Sequence, residues 1–212
     1  SDSFWVQQRI EGFNTADLQW GTANAKTVTL SFWVRSSLTG TFGGSFQNSA
    51  SDRSYPYSYT ISSANTWEQK SVTVAGDTSG TWLTTNGVGI KVSFGLGSGS
   101  TVSNTAGAWV AGNYTSATGA TSVVGTSGAT FYITGVQLEV GSSATGYEYR
   151  MYGQELALCQ RYYEKISAAA TASAFGSGTA ISTTDFRSCV SFKTNKRATP
   201  TISFSAANTF LY

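Results

Sequence analysis

Hydrophobic and polar residues alternate with period two along most of the chain, and turns rich in Gly and Ser separate the alternating stretches. The stretches are residues 27–35, 55–61, 72–74, 88–96 and 136–140. In the first of them, Val28, Leu30, Phe32 and Val34 alternate with Thr29, Ser31, Trp33 and Arg35. Alternation of this kind predicts strands with one buried face, and its repetition at short spacing is typical of a sandwich or barrel. The sequence therefore predicts an all-β fold.

Two long segments between the strands, residues 97–107 and 112–128, consist mostly of Gly, Ser, Thr and Ala. They are too long for hairpin turns. Because long loops on a rigid β framework often carry binding residues, we expect ligand contacts in these segments.

One segment has helical character. Residues 153–165, GQELALCQRYYEK, carry strong helix formers, with Leu158 and Tyr162 four positions apart and Cys159 and Tyr163 likewise. The segment predicts one helix of about three turns. Since so short a helix is marginal alone, we expect it to cover the end of the sandwich or to meet two further copies around a threefold axis.

The composition suits a packed β protein. Charged residues make up only 11% of the chain, but aromatic residues reach 14% and supply a core. The net charge of +2 comes from scattered Lys and Arg, which excludes a nucleic-acid-binding stripe. No apolar stretch approaches the length of a membrane span, so we expect no membrane insertion.

The chain contains no His, which removes Ser-His-Asp triads, Cys-His dyads and most zinc sites. Glycoside hydrolysis needs only two carboxylates at a suitable separation, and the chain has 11 Asp and Glu. A structural role suits each acid better, such as a turn for Asp77 and the first helical turn for Glu155. We therefore expect no enzyme, and a polysaccharide depolymerase stays open as the less favoured alternative.

Two other features could bind metal or form a covalent link. Asp52 or Asp77, with loop carbonyl groups, could ligate a structural calcium ion, while no other cofactor is indicated. Cys159 and Cys189 do not form a disulfide framework. We expect both to be free, buried thiols, and a bridge between them stays open.

The aromatic residues carry the remaining candidate chemistry, because sugar rings stack on Trp and Tyr while their hydroxyl groups bond Asn, Gln and Arg. Trp109, Asn113 and Tyr114 lie in the loop AGAWVAGNYTSATG. The candidate glycan contacts are Arg53, Tyr55, Tyr57, Trp82, Trp109, Asn113 and Tyr114. Packing beneath the loops, or a buried sheet face, is the alternative for each. Trp5, Trp20 and Trp67 are expected in the core or between chains.

Several segments resemble known proteins. Residues 27–37, TVTLSFWVRSS, resemble the core strand of carbohydrate-binding jelly rolls. WEQKSVTVAGDTSGTW (67–82), FYITGVQLEVGSSATGYEYR (131–150) and GQELALCQRYYEK resemble a module of bacteriophage tail fibres and minor structural proteins. The resemblance covers residues 4–165, and KRATPTISF (196–204) is similar to a final β unit of such proteins. In GYEYRMY (146–152) the family more often has Pro and a second basic residue.

The resemblance implies a jelly-roll β-sandwich over residues 1–148, a helical connector over 149–166 and a small β domain over 167–212, which we expect to continue or to pair with another chain. It also implies a homotrimer in the virion that contacts other phage tail proteins. The expected function is adhesion to host-surface polysaccharide or lipopolysaccharide. A purely structural spacer or trimerisation module is the main alternative.

Overall fold

The computed structural model describes residues 2–165, 177–184, 186–189 and 191–203. The chain forms two compact units, Ser1–Glu148 and Tyr149–Tyr212, and each is described by itself. The strands of the first unit are β1 (Ser3–Glu11), β2 (Val28–Ser36), β3 (Gly40–Gln47), β4 (Arg53–Ile61), β5 (Glu68–Val74), β6 (Val88–Ser98), β7 (Ser103–Asn104), β8 (Val110–Ala111), β9 (Ser116–Ala117) and β10 (Phe131–Val140).

Two antiparallel sheets share one core in the first unit. The larger sheet has the strand order β1-β6-β3-β4-β8, and the smaller has the order β10-β2-β5. Phe32 of the smaller sheet packs edge-on against Tyr59 and Phe94 of the larger sheet, with ring centroids 5.0 Å apart in both pairs. The all-β prediction is confirmed, and the arrangement is sandwich-like. Jelly-roll connectivity stays a prediction.

The alternation of β2 determines which side of the strand meets the core. All four predicted inward residues, Val28, Leu30, Phe32 and Val34, are buried, while Trp33 is exposed and Arg35 is half-buried. The guanidinium of Arg35 lies 5.6 Å from the centroid of the Tyr132 ring on β10. Trp20 is in the core as predicted. Trp5 and Trp67 are each 41% exposed, so a core position is wrong for both, and packing between chains stays a prediction for them.

The long segment after β6 does not protrude as a loop. Its short strands β7 and β9 pair in parallel, and β9 lies on the outer face of the larger sheet. Close contact requires small residues there, because an added Cβ at Gly43 would lie 2.5 Å from Ser116 Oγ and one at Gly95 would lie 2.7 Å from it. The two predicted long loops, residues 97–107 and 112–128, thus each contribute a short strand to the packed domain.

The second unit contains helix α1, Tyr152–Gln160, and the antiparallel hairpin of β11 (Ser177–Ala180) and β12 (Phe186–Cys189). The helix begins one residue before its predicted start and ends five residues before its predicted end. The alternating residues 189–193 and 201–205 also predict strands. In the structure β12 ends at Cys189, residues 201–203 form no strand, and residues 204–205 lie outside the described residues.

Both cysteines are free and exposed, so burial was the wrong expectation for their thiols. In the same unit, Lys196 Nζ donates hydrogen bonds to Gln160 O and to Glu164 Oε2, over 2.5 Å and 2.7 Å. These bonds tie the segment around Lys196 to the end of the helix.

Candidate functional site

Three of the candidate aromatic residues belong to a packed cluster at one end of the larger sheet. This tryptophan cluster consists of Trp20, Phe46, Tyr55, Trp82 and Trp109. The centroids of Trp20 and Trp82 are 4.8 Å apart, and Trp109 lies 5.3 Å from Trp20, Trp82 and Tyr55, with edge-to-face geometry in every pair. Such contacts stabilise beyond simple burial.

The indole N–H groups of this cluster are already bonded. Trp20 donates to Lys26 O, Trp82 to Ser79 O and Trp109 to Ala75 O, over 2.8, 3.0 and 2.7 Å. Trp82 and Trp109 are half-buried and hold neighbouring loops in place. The geometry fits the packing interpretation of Trp82 and Trp109 better than that of open sugar platforms.

Arg53 binds the loop beside this cluster. Its guanidinium forms a bidentate pair with Asp77, from Nε to Oδ2 over 2.8 Å and from Nη2 to Oδ1 over 2.7 Å. Ser79 N also donates to Asp77 Oδ1. The hydrogen bonds that Arg53 donates to Asp77 raise the pKa of Arg53, while burial acts in the opposite direction. Arg53 therefore has a fixed protein partner.

The same pairing bears on the calcium candidate. Both carboxylate oxygens of Asp77 accept hydrogen bonds from a guanidinium, which already supplies the positive charge. Asp52 Oδ1 accepts from Asn48 Nδ2. No group of three or more acidic, His or Cys side chains that could hold a metal ion occurs among the described residues. Asp77 thus forms an ion pair and Asp52 forms part of a turn, and the structural calcium ion stays a prediction.

Tyr57 belongs to the core. It is 1% exposed, and its hydroxyl donates to Ser93 O over 2.9 Å. Burial raises its pKa well above the usual value. Gly44 makes this contact possible, since a Cβ there would lie 2.4 Å from the Tyr57 ring. Tyr57 therefore has no exposed surface with which to contact a glycan.

A set of polar side chains crosses the outer face of the larger sheet. We call it the polar face, and it consists of Gln7, Arg9, Gln47, Ser54, Lys91 and Ser93. The strand register places Arg9 opposite Lys91, Lys91 opposite Gln47, and Gln47 opposite Ser54, so that one row crosses four strands. Gln7 and Ser93 form part of the next row, and Gln7 Nε2 donates to Ser93 Oγ over 2.9 Å.

Asn113 and Tyr114, two predicted site residues, join this face. Gln47 Nε2 donates to Asn113 Oδ1 over 2.8 Å and to Ser54 Oγ over 3.1 Å. The Tyr114 N–H donates to Ser54 Oγ, whose hydroxyl donates to Gly112 O. The hydrogen bonds hold the loop against the row, with Asn113 exposed and Tyr114 half-buried at its edge.

Trp5 lies further along the same face. It pairs with Gly95 in the register that places Gln7 opposite Ser93 and Arg9 opposite Lys91. Trp5 also borders an open, apolar surface depression with Ser3, Phe4, Leu96 and Val124. At about 3.4 Å per residue, Trp5 and Arg9 are roughly 14 Å apart along the strand. An exposed indole at this distance from the exposed Arg9 side chain leaves room for more than one sugar ring between them.

Charge on the polar face is positive. Arg9 and Lys91 are direct cross-strand neighbours. Lys91 Nζ donates to Ser49 O over 2.8 Å and to Ser51 Oγ over 2.6 Å. Burial lowers the pKa of Lys91, and the nearby charge of Arg9 lowers it further. The two cations are close enough to interact.

Sequence reasoning missed Trp5, Gln7, Arg9, Gln47 and Lys91. A signal was present, since Trp5, Gln7 and Arg9 alternate with period two, and Lys91 lies on the polar side of the run at 88–96. It could not be used because the two strands are about 80 positions apart in the chain. Only their pairing brings these side chains together.

The chain matched no family model, no curated protein and no solved structure in the comparisons made. Among the described residues, no helix is long and apolar enough to cross a membrane.

Proposed function

We propose that this chain is a non-catalytic module of a bacteriophage tail fibre that binds host-surface polysaccharide or lipopolysaccharide. The observation that carries the proposal is the polar face with Trp5 at one end and Asn113 and Tyr114 at its edge. Protein sites for sugars combine an aromatic platform with fixed polar side chains. The phage and virion assignments, the jelly-roll connectivity and the homotrimer rest on the sequence resemblance described above.

The order of the polar side chains supports recognition rather than simple solvation. Buried Ser93 accepts a hydrogen bond from half-buried Gln7, and buried Gln47 and Ser54 fix the loop that carries Asn113 and Tyr114. Preorganised groups lose little conformational entropy on binding. Three copies in a fibre would offset weak affinity at a single site.

The test is binding of the purified protein to host and non-host cells, with extracted surface glycan as competitor. Trp5→Ala is expected to weaken host binding at least tenfold. Trp67→Ala is the matched control, because Trp67 is equally exposed but lies just before β5, outside the polar face. Equal losses in both variants, or none in either, would contradict binding at this face.

A structural role is the second candidate, and the tryptophan cluster favours it. A spacer or trimerisation module requires its loop aromatic residues for packing, and Trp82 and Trp109 are packed. A folded protein that binds no host cell, with or without glycan, would support this role. Release of reducing ends from host polysaccharide would instead support a depolymerase.

A further inference from the structure

Arg9 and Lys91 place two positive charges side by side on the polar face, on paired positions of β1 and β6. Like charges directly opposite each other in a sheet are destabilising. Neither residue forms an ion pair with any residue that the structure describes. The protein thus maintains a repulsive pair on the face proposed to bind glycan.

Arg9 and Lys91 have more N–H donors than they use in hydrogen bonds to the described residues. An ammonium has three N–H donors, and Lys91 uses two of them, to Ser49 and Ser51. A guanidinium has five, and Arg9 uses one, from Nε to Gln7 Oε1 over 3.1 Å. The remaining N–H groups have no partner among the described residues. A planar guanidinium beside an ammonium suits the oxygens of a carboxylate or a phosphate.

No carboxylate of the described residues forms an ion pair with these two cations, and Asp77 is instead bonded to Arg53. Arg9 is the charged neighbour that shifts the pKa of Lys91, and it shifts it downward, as a second cation does. An anion held by both residues would reverse this repulsion.

We propose that Arg9 and Lys91 bind an anionic group of the ligand, so that the polar face selects glycans that carry carboxylate or phosphate. The inference rests on the proposed glycan-binding function and specifies its ligand class. Asn113, which is exposed beside the same row, would contact the hydroxyl groups of the charged sugar, while buried Gln47 holds it in place.

The test is an NMR titration of the isotope-labelled chain with glucose, glucuronate and glucose 1-phosphate, three ligands with one ring type and different charge. We expect saturable shifts of the Arg9 Nε–H and of the Asn113 side-chain amide with one or both anionic sugars. We expect at least tenfold weaker binding of glucose. The stronger anion identifies carboxylate or phosphate as the recognised group.

Arg9→Gln and Lys91→Gln are expected to weaken binding of the anionic sugar at least tenfold, while Lys26→Gln, which removes a cation from an exposed pair with Asp17, leaves it unchanged. Thermal unfolding checks that each variant is folded. Equal binding of glucose and the anions, unaffected by Arg9→Gln, would overturn anion selection but leave glycan binding in place. The absence of any shift at the polar face with all three sugars would also overturn anion selection. The cell-binding test decides the proposed function separately.

Discussion

The guanidinium of Arg53 and the carboxylate of Asp77 meet in a two-bond pair, with donor–acceptor distances of 2.8 and 2.7 Å. Asp77 is 2% exposed, and its backbone carbonyl also accepts from Gly21 N. The pair therefore connects β4, the segment after β5 and the turn that carries Trp20. The pair thus adds to the aromatic contacts and indole hydrogen bonds that hold this end of the domain together.

Asp77→Asn is expected to lower the free energy of unfolding by about 3 kcal/mol, because it leaves a partly buried guanidinium without its countercharge. Urea denaturation measures the effect. Asp17→Asn is the control, since its ion pair with Lys26 is long, at 3.8 Å, and exposed. A loss as large in the control would show that net charge, not the pair, sets the stability.

Ser54→Ala is expected to lower the free energy of unfolding by about 1–3 kcal/mol, because Ser54 Oγ accepts from Gln47 and Tyr114 and donates to Gly112. Ser45→Ala is the matched control. Ser45 Oγ is buried without a hydrogen-bond partner among the described residues, so its removal should leave stability unchanged or slightly increased. Equal destabilisation by both changes would contradict the role of Ser54 in fixing the loop.

Trp109→Ala is expected to destabilise the domain by about 3 kcal/mol, since it removes three aromatic contacts and the bond to Ala75 O. Trp5→Ala should alter stability far less, because Trp5 is exposed on an edge strand. Thermal unfolding and host adsorption are measured on both variants. Unchanged stability with lost adsorption in Trp109→Ala would restore Trp109 as a ligand contact.

The Glu68 carboxylate makes stability depend on pH. It accepts from Lys70 Nζ and from the N–H groups of Ser62 and Ser63, and these bonds lower its pKa below the ordinary value of 4.5. The folded state therefore binds fewer protons than the unfolded state near that pH. The contribution is complete above the unfolded pKa and is lost as pH falls through the folded pKa.

Glu68→Gln should accordingly reduce the urea midpoint at neutral pH and make little difference in strong acid. Urea denaturation curves of the parent and the variant, measured in parallel from neutral pH to strong acid, test the expectation. A difference between them that stays constant as the pH falls would mean that Glu68 does not titrate as its hydrogen bonds require.

Particular residues show how far the sequence could be interpreted. The alternation around Phe32 correctly assigned β2 and its buried side, because a strand presents neighbouring residues to opposite faces. Asn113 and Tyr114 were correctly placed together in one loop, and the structure brings them to the polar face. The same reasoning could not separate Tyr57 from Tyr55, since burial of a tyrosine depends on what covers it.

The sequence by itself determined the all-β class, one short helix near residue 152 and the inward sides of β2, β4 and β6, but not the inward side of β10, where Val136 and Val140 are exposed. These follow from local periodicity, which each segment carries in its own residues. The tertiary structure alone decided that Trp82 and Trp109 pack with Trp20, and that Arg9 and Lys91 meet across two strands far apart in the chain. Such contacts depend on strand order and register, which result from the packing of the whole domain.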